Sequence, residues 1–262
     1  MIRRPPRSTL SSSSAASDVY KRQQSCCCRF VFSNWLFVNG VLMSNNFSEN
    51  FLRDQICIIG KSLFDRGLTH GSTGNISAIT EDGDLLITPT GCSLGRLQPD
   101  HVCKITSKNE VIGTMKPTKE LFLHKAFYEK NSNRVGAVVH LHSTYSVAYS
   151  MLPNLDVDNI FQPLTPYSIM LLGKVKLLPF YLPGDPKLGD VIRGVASKRS
   201  AVLLANHGPV VSGKSLESAT NAIEELENTA KLSLITRGFK PNLLNENQIK
   251  EIINKFNVNW DE

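Results

Sequence analysis

Three histidines and one glutamate carry the chemistry that this chain's residue types and spacings suggest. His140 and His142 stand two apart in Val138-Val139-His140-Leu141-His142-Ser143. Val138 to His142 reads as a short buried strand, β-branched and apolar between polar neighbours. On a strand, residues i and i+2 share a face, so the two imidazoles stand side by side. Neutral imidazole is a common metal ligand. A third histidine, His207, ends a second apolar strand in Ala201-Val202-Leu203-Leu204-Ala205-Asn206-His207-Gly208, where Gly208 permits a tight turn. Three protein ligands and one open position is the pattern of a catalytic metal. The bland reading stays open at this point. A His-x-His pair on a strand also serves packing, and spacing alone does not bring His207 to the other two.

The glutamate lies in Lys116-Pro117-Thr118-Lys119-Glu120, which opens a helix predicted to run to about Lys130. Thr118 fits an N-cap and Pro117 punctuates the start. Glu120, in the first turn, either complements the helix dipole or acts as a general acid/base beside a metal. From pattern alone the dipole reading is preferred. His124 follows one turn later among Leu121-Phe122-Leu123 and Ala126-Phe127; it is read, with His70 and His101, as structural or surface. Two glycine-bearing loops, Gly71-Ser72-Thr73-Gly74-Asn75 and Thr88-Pro89-Thr90-Gly91, offer hydroxyls, an amide and accessible backbone. Such groups suit a phosphate held by N–H and neutral donors, and the helix start at Thr118 offers a further contact. Taken singly, each loop reads as a turn.

The elements that must position these groups follow from periodicity. Asn50 to Arg66 is helical, closed by Gly67. Ile76–Ile79 and Leu85–Thr88 form a hairpin about Glu81-Asp82-Gly83-Asp84. Val102–Thr106 and Glu110–Gly113 form a second. Ser146–Leu152 reads as a helix, 153–166 as an irregular loop, and Ile169–Leu178 as apolar and strand-like toward its end. Leu188–Ser197 is a helix before the His207 strand, which Val210-Val211 continues. A long amphipathic helix runs from Ser215 to Thr236, closed by Gly238, and a last one from Asn247 to Phe256. With neither repeat nor linker over 43–262, that span is one mixed α and β domain with much antiparallel sheet.

The chain has 262 residues and a net charge of +6. Residues 1–42 hold six basic side chains against Asp18 alone, which is +5 of that charge. The remaining span is nearly neutral and makes no electrostatic case for nucleic acid or an anionic membrane. Ser8 to Gln23 is polar and aperiodic and resembles translated sequencing-adapter read-through; it is expected to be non-native and disordered. Residues 30–42 are apolar but too short and interrupted to span a bilayer, and no Ala-x-Ala site follows them. The native start is therefore expected at Met43, with no targeting segment and a cytoplasmic location. Cys57, Cys92 and Cys103 have no metal-type spacing and read as free thiols.

Gly74-Asn75-Ile76-Ser77, Ile87-Thr88-Pro89-Thr90-Gly91, Pro117-Thr118-Lys119-Glu120, His140-Leu141-His142 and Asn206-His207-Gly208, in this order and spacing, resemble the class II aldolase/adducin family over residues 50–240. The resemblance implies a three-layer α/β/α sandwich around a mainly antiparallel sheet, and a homotetramer with sites near subunit interfaces. It implies zinc on His140, His142 and His207, a phosphate pocket of Asn75, Thr90, Gly91 and Thr118, and Glu120 as the acid/base. The adducin branch lacks the histidine set, so the intact set implies an enzyme. Lys119 and Tyr145 depart from the fuculose-phosphate aldolases, which carry Ser-Ser before the glutamate and a further histidine after the pair. Lys119 adds a cation at the phosphate or carboxylate. With Thr165-Pro166-Tyr167 and Pro183-Gly184-Asp185-Pro186, these departures look more like the subgroup that decarboxylates 3-oxo-tetronate 4-phosphates. That likeness implies loss of CO₂ from a phosphorylated sugar acid through a zinc-bound enediolate, giving dihydroxyacetone phosphate, with Glu120 or Tyr167 as proton donor. The alternatives are a fuculose- or ribulose-phosphate aldolase or epimerase, and a non-catalytic adducin-like module.

Overall fold

In the computed structural model, which describes residues 49–130 and 135–260, the chain builds an eight-stranded sheet with helices on both faces. The tail of residues 1–42 lies outside the described residues. The strands are β1 (Asn75–Ile79), β2 (Leu85–Ile87), β3 (Cys103–Ile105), β4 (Val111–Ile112), β5 (Ala137–His140), β6 (Lys176–Leu178), β7 (Ala201–Leu204) and β8 (Gly208–Gly213). Their order is β4-β3-β2-β1-β5-β8-β7-β6. Every pairing is antiparallel except β6 with β7, as the sequence-derived expectation of a mainly antiparallel sheet requires.

The helices are α1 (Glu49–Asp65), α2 (Leu121–Lys130), α3 (Thr144–Ser150), α4 (Pro166–Leu172), α5 (Lys187–Val195), α6 (Leu216–Thr236) and α7 (Glu246–Phe256). Strand alternation decides which face each apolar residue serves. Ile76, Ala78, Val139 and Leu203 pack on one face with Ile56 and Leu63 of α1, Tyr149 of α3, Leu172 of α4 and Ile223 and Leu226 of α6. Val138, Val202 and Leu204 pack on the other with Leu123 and Phe127 of α2 and Leu188 and Ile192 of α5. The result is a three-layer α/β/α sandwich.

Three local expectations are corrected. The helix expected to open around Thr118 starts at Leu121, so Glu120 immediately precedes it. Thr118 instead makes a tight turn, its Oγ1 accepting from Glu120 N–H at 3.2 Å. The strand expected over Val138–His142 ends at His140, because Ser143 already leads into α3. His207 lies beyond its strand, in the loop Ala205-Asn206-His207 that joins β7 to β8. In Ile169–Leu178 the strand-like end is β6, as expected, and a helix precedes it: Thr165 Oγ1 caps α4 by accepting from Ser168 N–H at 3.2 Å, and Gly173 ends it at positive φ. The described residues form one compact unit.

Candidate active site

The histidine pair sits where β5 runs out beside β8. His140 is fully buried, and its Nδ1–H donates to the Pro209 carbonyl at 2.8 Å. That bond fixes the tautomer, leaving the lone pair on Nε2. One step on, Leu141 N–H donates to the same carbonyl at 3.2 Å. The chain then leaves the sheet, yet His142 Nε2 still comes within 3.1 Å of His140 Nε2.

The β7–β8 loop supplies the third ring. Asn206 takes a left-handed conformation at φ +57, and Gly208 has φ +150. A Cβ on Gly208 would collide with the Leu141 carbonyl oxygen. Glycine at 208 thus lets the loop close against residues 141–142. His207 Nε2 lies 3.1 Å from His142 Nε2, and the three ring centroids are 4.7–4.9 Å apart.

Glu120 completes the cluster from the lip of α2. Its Oε1 is 3.1 Å from His207 Nε2 and its Oε2 is 3.5 Å from His140 Nε2. The four ligand atoms lie within 4.8 Å of one another. A tetrahedral ion with bonds of ~2.1 Å separates its ligands by ~3.4 Å. The 3.1–3.5 Å separations, and the Nε2 lone pair that the Pro209 bond forces on His140, fit a divalent metal.

Electrostatics follow from burial and crowding. Burial works to raise the Glu120 carboxyl, but His140 and hydrogen bonds to His207 and Asn75 hold it far below the usual carboxylate range. Burial lowers His140, and burial with the two neighbouring rings pushes His142 down to about 3. His140 and His142 are therefore neutral and free to ligate.

The expected phosphate residues stand beside this cluster. Thr118 N–H donates to the Thr88 carbonyl at 3.1 Å and Thr90 N–H to the Lys116 carbonyl at 3.0 Å, so the two loops run side by side. Asn75 is buried; its amide donates to Glu120 Oε2 at 2.8 Å and to Thr118 Oγ1 at 3.3 Å. Gly91 and Lys119 are exposed at the rim. Tyr167 is 60% exposed on α4, and no hydrogen bond or ring contact among the described residues joins it to the four.

One group that the sequence reading set aside belongs to this neighbourhood. His124, read as structural, is fully buried and hydrogen-bonded to Asn75 Oδ1 at 2.5 Å and to Ser77 Oγ at 2.7 Å. The signal lay in two spacings: polar Asn75 and Ser77 at i, i+2 on a strand, and His124 and Tyr128 at i, i+4 on a helix.

The comparisons with known proteins agree with this geometry. The Class II Aldolase and Adducin N-terminal domain matches residues 54–234. The chain is 48% identical over 187 residues to 3-oxo-tetronate 4-phosphate decarboxylase of Escherichia coli (strain K12), covering 71% of this chain and 88% of that protein. It is 36% identical over 183 residues to L-fuculose phosphate aldolase of Methanococcus maripaludis (strain DSM 14266), covering 70% and 96%. The crystal structure of YgbL from Escherichia coli, assigned only to the broad class aldolase/epimerase/decarboxylase, superposes with a TM-score of 0.76 at 44% identity, covering 78% of this chain and 98% of that one. A family match over most of the chain, in the fold that carries the converging histidines, makes the protein a member of the class II aldolase/adducin family.

Proposed function

We propose that the protein is a metal-dependent carbon–carbon lyase that decarboxylates a 3-oxo-tetronate 4-phosphate to dihydroxyacetone phosphate and CO₂. The observation that carries the reading is the convergence of His140, His142, His207 and Glu120 on one point. The 48% identity to a decarboxylase, against 36% to an aldolase, favours loss of CO₂ over aldol cleavage.

We assign zinc to the three imidazoles, which suit it in number and donor type. When bound, it supplies Lewis acidity toward the oxygens of the 3-oxo acid. The chain's own groups do the rest. The substrate carboxylate departs as CO₂, and its bonding pair delocalises toward the 3-oxo oxygen. A proton must then reach the carbon left behind. Glu120, ionised at rest beside His140 and His207, takes a proton from solvent and delivers it there. Thr90, Gly91, Thr118 and Lys119, with Asn75 behind them, are assigned to the phosphate, whose binding energy holds the reacting carbons in place.

We assign Tyr167, 60% exposed on α4, as a second proton donor that another copy of the chain brings to the site. We therefore link it to the homotetramer, and large exposed apolar side chains such as Phe180, Leu182 and Phe239 supply surface for such an assembly. A cytoplasmic location and a native start at Met43 belong to the same reading. Among the described residues no helix is long and apolar enough to cross a membrane.

The aldolase reading rests on the same metal cluster and the fuculose-phosphate relative. A product assay decides. The purified protein is given 3-oxo-tetronate 4-phosphates beside fuculose and ribulose phosphates, and CO₂ is scored against aldehyde. CO₂ from the first substrate supports the proposal; aldehyde from the others replaces it. Purified protein that retains no divalent metal and turns over neither substrate would return the adducin-like reading.

A further inference from the structure

Behind the metal cluster lies a line of buried polar groups, of which the proposed chemistry uses Asn75 alone. Asn75 and Ser77 share one face of β1, while Ile76 and Ala78 serve the other. His124 and Tyr128 lie one turn apart on α2, which packs on that same face. The i, i+2 step of a strand and the i, i+4 step of a helix are both about 6 Å, so the two pairs interleave. His124 hydrogen-bonds both strand side chains, and Tyr128 OH meets Ser77 Oγ at 2.8 Å.

The direction of each bond follows from the one before it. An ionised carboxylate only accepts, so Glu120 Oε2 faces the Asn75 amide nitrogen. The Asn75 oxygen therefore faces His124 and receives the proton on Nε2. Burial keeps His124 neutral, its pKa pushed down to about 3, so Nδ1 carries a lone pair and accepts from the Ser77 hydroxyl. With its proton committed, Ser77 Oγ accepts from the Tyr128 hydroxyl. Every donor in the row points toward Glu120.

We propose that His124 is a positioning residue: it locks the Asn75 amide, and through it the Glu120 carboxylate, as part of a one-way hydrogen-bond chain that starts at Tyr128. A reversed Asn75 amide would set its oxygen against the carboxylate, an unfavourable pairing of two acceptors. The lock also fixes the second amide hydrogen on Thr118 Oγ1, at the assigned phosphate residues. A pair of apolar side chains would fill the space between β1 and α2 without any need for internal partners. Four polar side chains, Tyr128, Ser77, His124 and Asn75, instead meet there and end on the site's carboxylate.

This inference rests on the catalytic reading of Glu120, and its test separates the two. The product assay on the unaltered protein settles which reaction occurs; the following measurements use whichever substrate is turned over. His124→Leu is expected to lower kcat by about 10- to 100-fold with metal content unchanged. Because His124 acts through Asn75, the double variant His124→Leu/Asn75→Ala is expected to be no slower than Asn75→Ala alone. If His124→Leu does not fold, Ser77→Ala, which removes only the partner of Nδ1, enters the same cycle. A readout that needs no substrate is nitrogen NMR of ¹⁵N-histidine-labelled protein: His124 is expected neutral, with its proton on Nε2 and a hydrogen-bonded Nδ1 that Ser77→Ala perturbs. Effects that multiply in the cycle, a proton on Nδ1, or a charged His124 ring would each overturn the proposal.

Discussion

Glu120 is asked to do two things that conflict in water: stay ionised while buried, and carry a proton. Burial resists the charge, and His140, His207 and Asn75 outweigh that resistance. Glu120→Gln keeps the shape and removes the proton carrier. It is expected to retain metal, measured by elemental analysis, while kcat falls by at least ~100-fold; full activity would reject the acid/base role. Removal of the metal by a chelator should lower the thermal midpoint and abolish turnover. An ion at about 100 times its Kd contributes about 2.7 kcal/mol to the folded state. A chelated protein whose midpoint and activity are unchanged would show that the cluster holds no ion.

At the scale of elements, two features aim the histidines. The first is the β7–β8 loop, closed by Gly208 against the Leu141 carbonyl. Gly208→Ala adds strain at positive φ and a steric collision, so a loss of about 1–3 kcal/mol in chemical denaturation is expected. Reduced metal content should accompany it, since His207 is displaced from His142. The second is the start of α3, two residues after His142. Ser143 gives no side-chain cap; the Glu227 carboxylate of α6 accepts instead from Tyr145 N–H at 2.9 Å and Ser146 N–H at 2.8 Å. A negative charge at a helix N-terminus satisfies free N–H groups and the dipole together. Glu227→Ala is expected to cost roughly 1–2 kcal/mol, read as a fall of several degrees in the thermal midpoint. An unchanged midpoint would show that solvent replaces the cap freely.

The whole molecule carries a buried imidazole as a pH liability. His124 is held neutral in the fold, about 3 against an unfolded value of about 6.5. A depressed imidazole pKa means that the unfolded chain binds the proton first. Stability is therefore fully present above about pH 6.5 and is lost as pH falls toward 3. Denaturation of metal-free protein at pH 7, 5.5 and 4 should show this decline; His140 and His142, also kept neutral by burial, share it, so His124→Leu should reduce the slope without abolishing it. A slope that does not change would place the titration elsewhere. At the same scale, removal of residues 1–42 is expected to leave activity and thermal midpoint intact; loss of either would show that the tail belongs to the working protein.

Much of this protein was legible as pattern. Apolar period placed α1, α6 and the inner strands, and the five spaced motifs named the four residues that meet at the metal cluster. Local turn chemistry was harder. Thr118 closes a turn rather than capping a helix, and Thr165 with Pro166 begins a helix at the end of a stretch that reads as an irregular loop. Tertiary structure alone decided that His207 meets the earlier pair. Sixty-five residues separate it from His142, and the link is a through-space fact: antiparallel pairing of β5 with β8 and a glycine lying flat against a carbonyl. It alone decided the fate of His124 as well, since a histidine among leucines reads as packing until the strand opposite supplies Asn75 and Ser77. Side-chain period is a property of one element and survives in sequence, whereas a ligand set or a proton chain arises between elements and exists only once they are stacked.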